Sequence, residues 1–258
     1  MNQIKLNLGT SIIIGIILSM FNYNNLNAQI TDKLTKTLGD TNFEIFQTHL
    51  RDLNSNIISK GIIYDTVYKC KLLTGYSYGQ FYDWDLYFEN IYLSYYGISE
   101  YNFTNLNVFF SFQQSDGFIK RAFGTKPWGK NQMFKPFIAQ IVLLGSLQQG
   151  NFDWSRQHYS QMKLYLKKWF EYDSDKNGLI YWPGGSDHSG MDNQNTRCLG
   201  KSEGVDLNCY LYRELIAMSI IADNLGFIVD KNEYQNHAER LKVLINKYLV
   251  DFKCLQRQ

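Results

Sequence analysis

Apolar positions recur every three or four residues over most of this chain, the spacing of helix faces that pack inward. Leu34, Leu38, Phe46, Leu50 and Leu53 carry the pattern first, and Phe137, Ile141 and Leu144 repeat it further on. Ser155 is a residue type that caps free backbone N–H groups, and it predicts the start of a helix through Tyr159, Met162, Leu166 and Trp169. Leu207, Leu211, Leu215, Met218, Ala222 and Leu225 form one stripe, closed by Gly226 as a C-terminal stop. A last helix carries Ala238, Leu241, Leu244, Ile245 and Tyr248. Residues 57–79 break the rule, and Ile62, Ile63, Tyr64 and Val67 read there as a short strand or a buried extended segment. The expected class is all-α, with about seven or eight helices joined by long loops that hold the Gly, Pro and Trp residues.

Composition narrows the function classes. A chain of 258 residues with 45% hydrophobic and 19% charged residues can bury a substantial core. With 19 Tyr, 17 Phe and 5 Trp, its aromatic share is high enough to build either an aromatic core and rim or a groove that stacks sugars. A net charge of +2 without a basic run supports neither nucleic-acid binding nor a polybasic membrane patch. No Gly-x-Gly-x-x-Gly, phosphate loop or Pro/Ser-rich linker is present. Residues 1–28 read as an export signal, with Lys5, an apolar stretch over residues 12–21 and Asn27-Ala28 ahead of Gln29. Its removal would leave 25 Lys and Arg, one fewer than the full chain's 26, against 24 Asp and Glu. The expectation is an exported protein, periplasmic or secreted, without stable membrane association. Cys70, Cys198, Cys209 and Cys254 show no C-x-x-C spacing, so neither a zinc knuckle nor a disulfide scaffold is indicated.

The richest local chemistry lies in Tyr181-Trp182-Pro183-Gly184-Gly185 and the following Ser186-Asp187-His188-Ser189-Gly190-Met191-Asp192-Asn193. Cleaving a glycosidic bond needs a carboxylic acid to protonate the leaving oxygen and aromatic faces to orient the ring, and Asp192 and Trp182 offer both. The same Asp-Asn pair also suits a plain hydrogen-bonded turn. Asp173-Ser174-Asp175-Lys176-Asn177-Gly178 matches the first half of a calcium loop, but its twelfth position is Gly184 rather than Glu, which favours an Asx-stabilised turn. The four His residues have no metal spacing, so no metal and no cofactor are expected.

Several segments taken in order resemble glycoside hydrolase family 63, the glucosidase and mannosylglycerate hydrolase group. Phe81-Tyr82-Asp83-Trp84-Asp85-Leu86-Tyr87-Phe88 is similar to its Trp-Asp element. Asp116-Gly117-Phe118-Ile119-Lys120-Arg121, with Lys135-Pro136-Phe137, resembles its next loop and helix. Residues 173–179 carry D-x-x-G-L, Ser189-Gly190-Met191-Asp192-Asn193 carries S-G-M-D-N, and Val205-Asp206-Leu207-Asn208 carries V-D-L-N. Trehalases share part of this set but usually place Trp where Met191 stands.

The resemblance implies an (α/α)6 barrel with the site in loops at one mouth, hydrolysing α-glucosides or α-mannosides with inversion. Residues 29–258 would form the N-terminal part of that barrel, with Asp192 as general acid. Trp84, Asp85, Arg121, Trp182, Asn193, Asp206 and Asn208 would bind the oligosaccharide or small glycoside. Arg121 has a second reading as the partner of Asp116, Asp206 as a helix N-cap, and Trp84 with Asp85 as core and cap. The family's general base, a Glu in a Trp-rich segment beyond V-D-L-N, has no match in this sequence, which leads to the expectation of a truncated or split gene product, one that a second polypeptide could complete. A non-catalytic carbohydrate-binding relic and a structural helical scaffold are the competing expectations.

Overall fold

The computed structural model describes residues 39, 41–42, 44–45, 47–49, 52, 60–74, 79–94, 98–127, 129, 131–183, 186–189 and 203–249. The chain divides into two units, residues 1–58 and 59–258. In the first, the described positions between 41 and 52 are helical and exposed, and the apolar positions predicted for that helix lie outside the described residues.

The second unit is mostly helical, with four short strands among its described residues. Strands β1 (Ile62–Asp65) and β2 (Cys70–Leu73) form an antiparallel hairpin, so the ambiguous segment is extended. Its turn is set by Asp65, whose Oδ1 accepts the N–H groups of Val67 at 2.8 Å and Tyr68 at 3.1 Å. Strand β3 (Gln80–Tyr82) runs directly into helix α1 (Asp83–Ser94). After helix α2 (Tyr101–Phe110), strand β4 (Ala122–Gly124) returns antiparallel to β3, with Phe81 stacked on Phe123 at 4.4 Å.

Helices α3 (Ile138–Gln149) and α4 (Asp153–Phe170) follow, then one short turn, α5 (Ser186–Ser189). Helices α6 (Val205–Leu225) and α7 (Ile228–Leu244) end in a π-helical turn, Ile245–Leu249. Helix α3 packs against α1, α2, α4 and α6, and α7 packs along α6. The predicted α6 stripe is the core: Leu207, Leu211, Leu215, Met218, Ala222 and Leu225 are all buried. Burying each Leu contributes about 2 kcal/mol. Gly226 ends α6 with φ 81°, a left-handed conformation that costs a side-chain-bearing residue energy.

One predicted boundary is corrected. Helix α4 begins at Asp153, two residues before Ser155, and Ser155 is buried with its hydroxyl 3.0 Å from that of Ser146 on α3. The hydroxyl serves packing between two helices instead of capping one. Among the described residues no helix is long and apolar enough to cross a membrane, and Cys70 and Cys209 are free thiols.

Candidate functional site

Asp83, the first residue of α1, is fully buried, which demands compensation. Lys135 supplies most of it, through its ammonium at 3.1 Å from Oδ1 and its backbone N–H at 2.7 Å from Oδ2. The Arg121 Nε lies 3.5 Å from Oδ1. Burial pushes the Asp83 carboxyl up, but the two cations and the N–H bonds outweigh it and hold it below the usual carboxylate range. Lys135 is as buried as its partner, and desolvation pulls it down to about 8. Helix α4 fixes the loop carrying Lys135, because the Tyr165 hydroxyl and the Trp169 indole N–H donate to the Phe134 carbonyl at 3.0 and 3.1 Å.

This buried knot sets the start of α1 beside the start of α3 and aims the next residues outward. Trp84 is half-buried, with its ring 5.9 Å from Phe137 and 6.2 Å from Tyr210 on α6, and the Lys135 ammonium lies 5.2 Å from it. Asp85 stands next to it, also half-buried. Burial and the Asp83 charge raise its carboxyl, against the opposing pull of Lys135 and Arg121. One turn on, Glu89 is raised to about 8 by burial and by Asp85. The same three helices enclose a cleft of about 680 Å³ lined in part by Tyr87, Ile91, Gln140, Leu144, Arg213 and Ile216. Tyr87 stacks on Phe137 at 4.2 Å and donates its hydroxyl to Gln140 Oε1 at 2.9 Å. Aromatic faces, a half-buried carboxylate and an adjoining apolar cleft suit a ligand with both C–H faces and hydroxyls.

The beginning of α6 is braced from the other side. Asn208 pairs with both backbone groups of Ile180, each at 2.9 Å, and this ties the loop after α4 to α6. Trp182 is 1% exposed, donates to Asp206 Oδ1 at 3.3 Å and packs 5.2 Å from His188. Gly204 fits here because a Cβ would stand 2.9 Å from the Trp182 indole nitrogen. His188 is buried, its Nε2 2.6 Å from the Met133 carbonyl, and desolvation lowers it to about 4. Two side-chain oxygens of the loop over residues 173–178 are taken by its own backbone, Gly178 N–H donating to Asp173 Oδ2 at 3.0 Å and Leu179 N–H to Asn177 Oδ1 at 2.7 Å, while Asp173 Oδ1 is buried without a hydrogen-bond partner. No group of three or more His, Cys, Asp or Glu is placed to hold a metal among the described residues.

The residues singled out from sequence therefore separate. Trp84 packs with Tyr210 and Phe137, with Asp85 next to it in the chain, while Asp206 and Asn208 mark the start of α6 beside the buried Trp182. Arg121 corrects the pairing read from sequence: it joins Asp83 and donates to Gln132 at 2.8 Å, whereas Asp116 pairs with Lys168 at 2.9 Å. The β3–β4 pairing that fixes the Asp83 N–H on the Arg121 carbonyl at 3.0 Å brings those two together. Asp192 and Asn193 lie outside the described residues. Sequence reasoning did not single out Lys135 or Glu89 as site residues, since a Lys before Pro and a Glu among the aromatics of α1 carry no local signal of their own burial. The chain matches no family model, no curated protein and no solved structure.

Proposed function

We propose that this chain recognises an α-linked glucoside or mannoside at the mouth formed by α1, α3 and α6, and hydrolyses it with inversion, Asp192 acting as the general acid. The observation that carries the proposal is the half-buried Trp84 at the start of α1, ringed by Phe137 at the entry to α3 and Tyr210 of α6, with the half-buried Asp85 next to it in the chain. An indole covers the C–H face of a sugar ring while a carboxylate accepts from its hydroxyls. Support also comes from the packing, in which α3 touches both α1 and α6 as well as α2 and α4, and α7 packs on α6, contacts that an (α/α)6 barrel would also make.

In such a reaction Asp192 donates its proton to the leaving oxygen, and a second carboxylate on the opposite face, roughly 6.5–9.5 Å away, activates water; this sequence offers no match for that base, which a second polypeptide would supply. No cofactor takes part. Asn193 and Asp206 would border the same subsite, and the work would take place outside the cytoplasm.

The test is to incubate the full chain with a panel of α-linked glucosides and mannosides, trehalose included, and follow the released sugar by proton NMR. The β-anomer should appear first, and Asp192→Asn should abolish release. Undiminished release by that variant would remove Asp192 from the role of acid. Binding without release, in the unaltered chain, would favour a carbohydrate-binding protein.

A further inference from the structure

Helices α4 and α7 lie side by side and run in the same direction, because the residues that join them advance together along both. The ring of Tyr159 stands 4.7 Å from that of Phe227, just ahead of α7. One turn on, the Lys163 ammonium holds Asp230 at 2.8 Å, and the Tyr159 hydroxyl donates to the same carboxylate at 2.9 Å. Seven residues further along each helix, the ring of Phe170 meets that of His237 at 4.2 Å. Seven residues are two helical turns, about 10 Å. Between these two bridges the helices part around a cavity of about 450 Å³. Leu166 and, from α6, Leu215 are buried and close its base, while the half-buried Phe170 and Tyr234 form its walls.

The polar groups around this cavity are unequal. Lys163 is spent on Asp230. Ser160, Lys167 and His237 also line it, and among the described residues none of these three side chains makes a hydrogen bond or an ion pair. No Asp or Glu is among the lining residues, and Glu233, whose charge reaches Tyr234, is exposed to solvent. Arg240, one turn beyond His237, adds positive charge at that end. Apolar walls with aromatic rings and one unpaired ammonium at the rim suit a flat apolar body that carries a single negative charge. A sugar would set most of its hydroxyls against hydrocarbon, and an amine would be repelled by Lys167 and Arg240.

We propose that the cavity between α4 and α7 is a binding site for a small aromatic carboxylate, its ring between Phe170 and Tyr234 and its carboxylate accepting from the Lys167 ammonium, with the His237 ring as a second donor. The site shares no residue with the mouth formed by α1, α3 and α6, and it does not depend on the carbohydrate reading.

The test is calorimetric titration of the full chain at pH 7 with phenylacetate, its neutral amide phenylacetamide and the cation phenethylamine. Phenylacetate should bind saturably with a Kd of about 1 mM or below, and the amide about tenfold more weakly, the loss of one charge-assisted hydrogen bond. Phenethylamine should not bind. Lys167→Met should weaken phenylacetate about tenfold, whereas Lys71→Met, which removes an exposed charge on β2, should leave its affinity unchanged. Lys167 is exposed, so both variants should keep the circular dichroism of wild type. Equal affinity for acid and amide, equal affinity in the two variants, or no saturable binding of phenylacetate by wild type would each overturn the proposal. None of these results bears on sugar binding at Trp84, so the two readings stand or fall separately.

Discussion

Glu214, midway along α6, accepts the backbone N–H of Ala139, 75 residues earlier, at 2.6 Å and thereby caps the start of α3. Gln140 adds its own N–H at 3.3 Å and its side-chain amide at 3.2 Å. Phe137 has no capping side chain, so the first turn of α3 depends on this carboxyl from another helix. Burial nevertheless pushes Glu214 up to about 7, above the ordinary 4.5.

The folded state therefore holds the Glu214 proton more tightly than the unfolded chain. Its contribution is complete below about pH 4.5 and is lost as pH rises through 7. Glu214→Gln cannot lose a proton, but it opposes one N–H with an amide. It should be less stable than wild type by about 1 kcal/mol at pH 5, and because the wild type loses roughly 2–3 kcal/mol as Glu214 ionises, the order should reverse by pH 8. Urea unfolding at the two pH values checks this.

His188 acts in the opposite sense. Its folded value, lowered to about 4 by burial, lies below the ordinary 6.5, so its contribution is complete above 6.5 and fades as pH falls toward 4. Between pH 7.5 and 4.5 this group should remove on the order of 2–3 kcal/mol of stability. A pH series of unfolding free energies on wild type and His188→Gln should show that acid limb flattened in the variant.

The Asp83–Lys135 pair holds the candidate mouth together. Lys135→Met leaves the buried Asp83 carboxylate with Arg121 as its remaining cation and should cost about 3–5 kcal/mol. Adding Asp83→Leu to that variant should cost less than the two single changes summed, by about 1 kcal/mol or more. Denaturant midpoints for the four proteins of this cycle measure the coupling.

The parts of the fold legible in the sequence were those written in local signals. The α6 stripe and its Gly226 stop are contiguous, and α4 shows its buried face as Tyr159, Met162, Leu166 and Trp169. Helices α1 and α2 were not legible as helices, because they bury Asn90, Asn102 and Asn105 alongside their aromatics and blur the apolar period. Asn105 illustrates why: its amide is spent on both backbone groups of Leu73, 32 residues away, at 3.0 and 2.7 Å. The same holds at the site. Trp84 and Asp85 stood out through a motif, whereas the burial of Trp182 and the choice of Asp83 over Asp116 by Arg121 follow from strand pairing and loop packing that no short window contains.

The most direct test of the account is calorimetric titration of wild type and Trp84→Ala with α-linked glucosides and mannosides at pH 7. The proposed mouth requires that wild type bind at least one of them and that Trp84→Ala bind it about tenfold or more weakly while remaining folded by circular dichroism. Wild-type binding that Trp84→Ala leaves unchanged, or no binding to any sugar tried, would contradict the placement of a carbohydrate site at the start of α1.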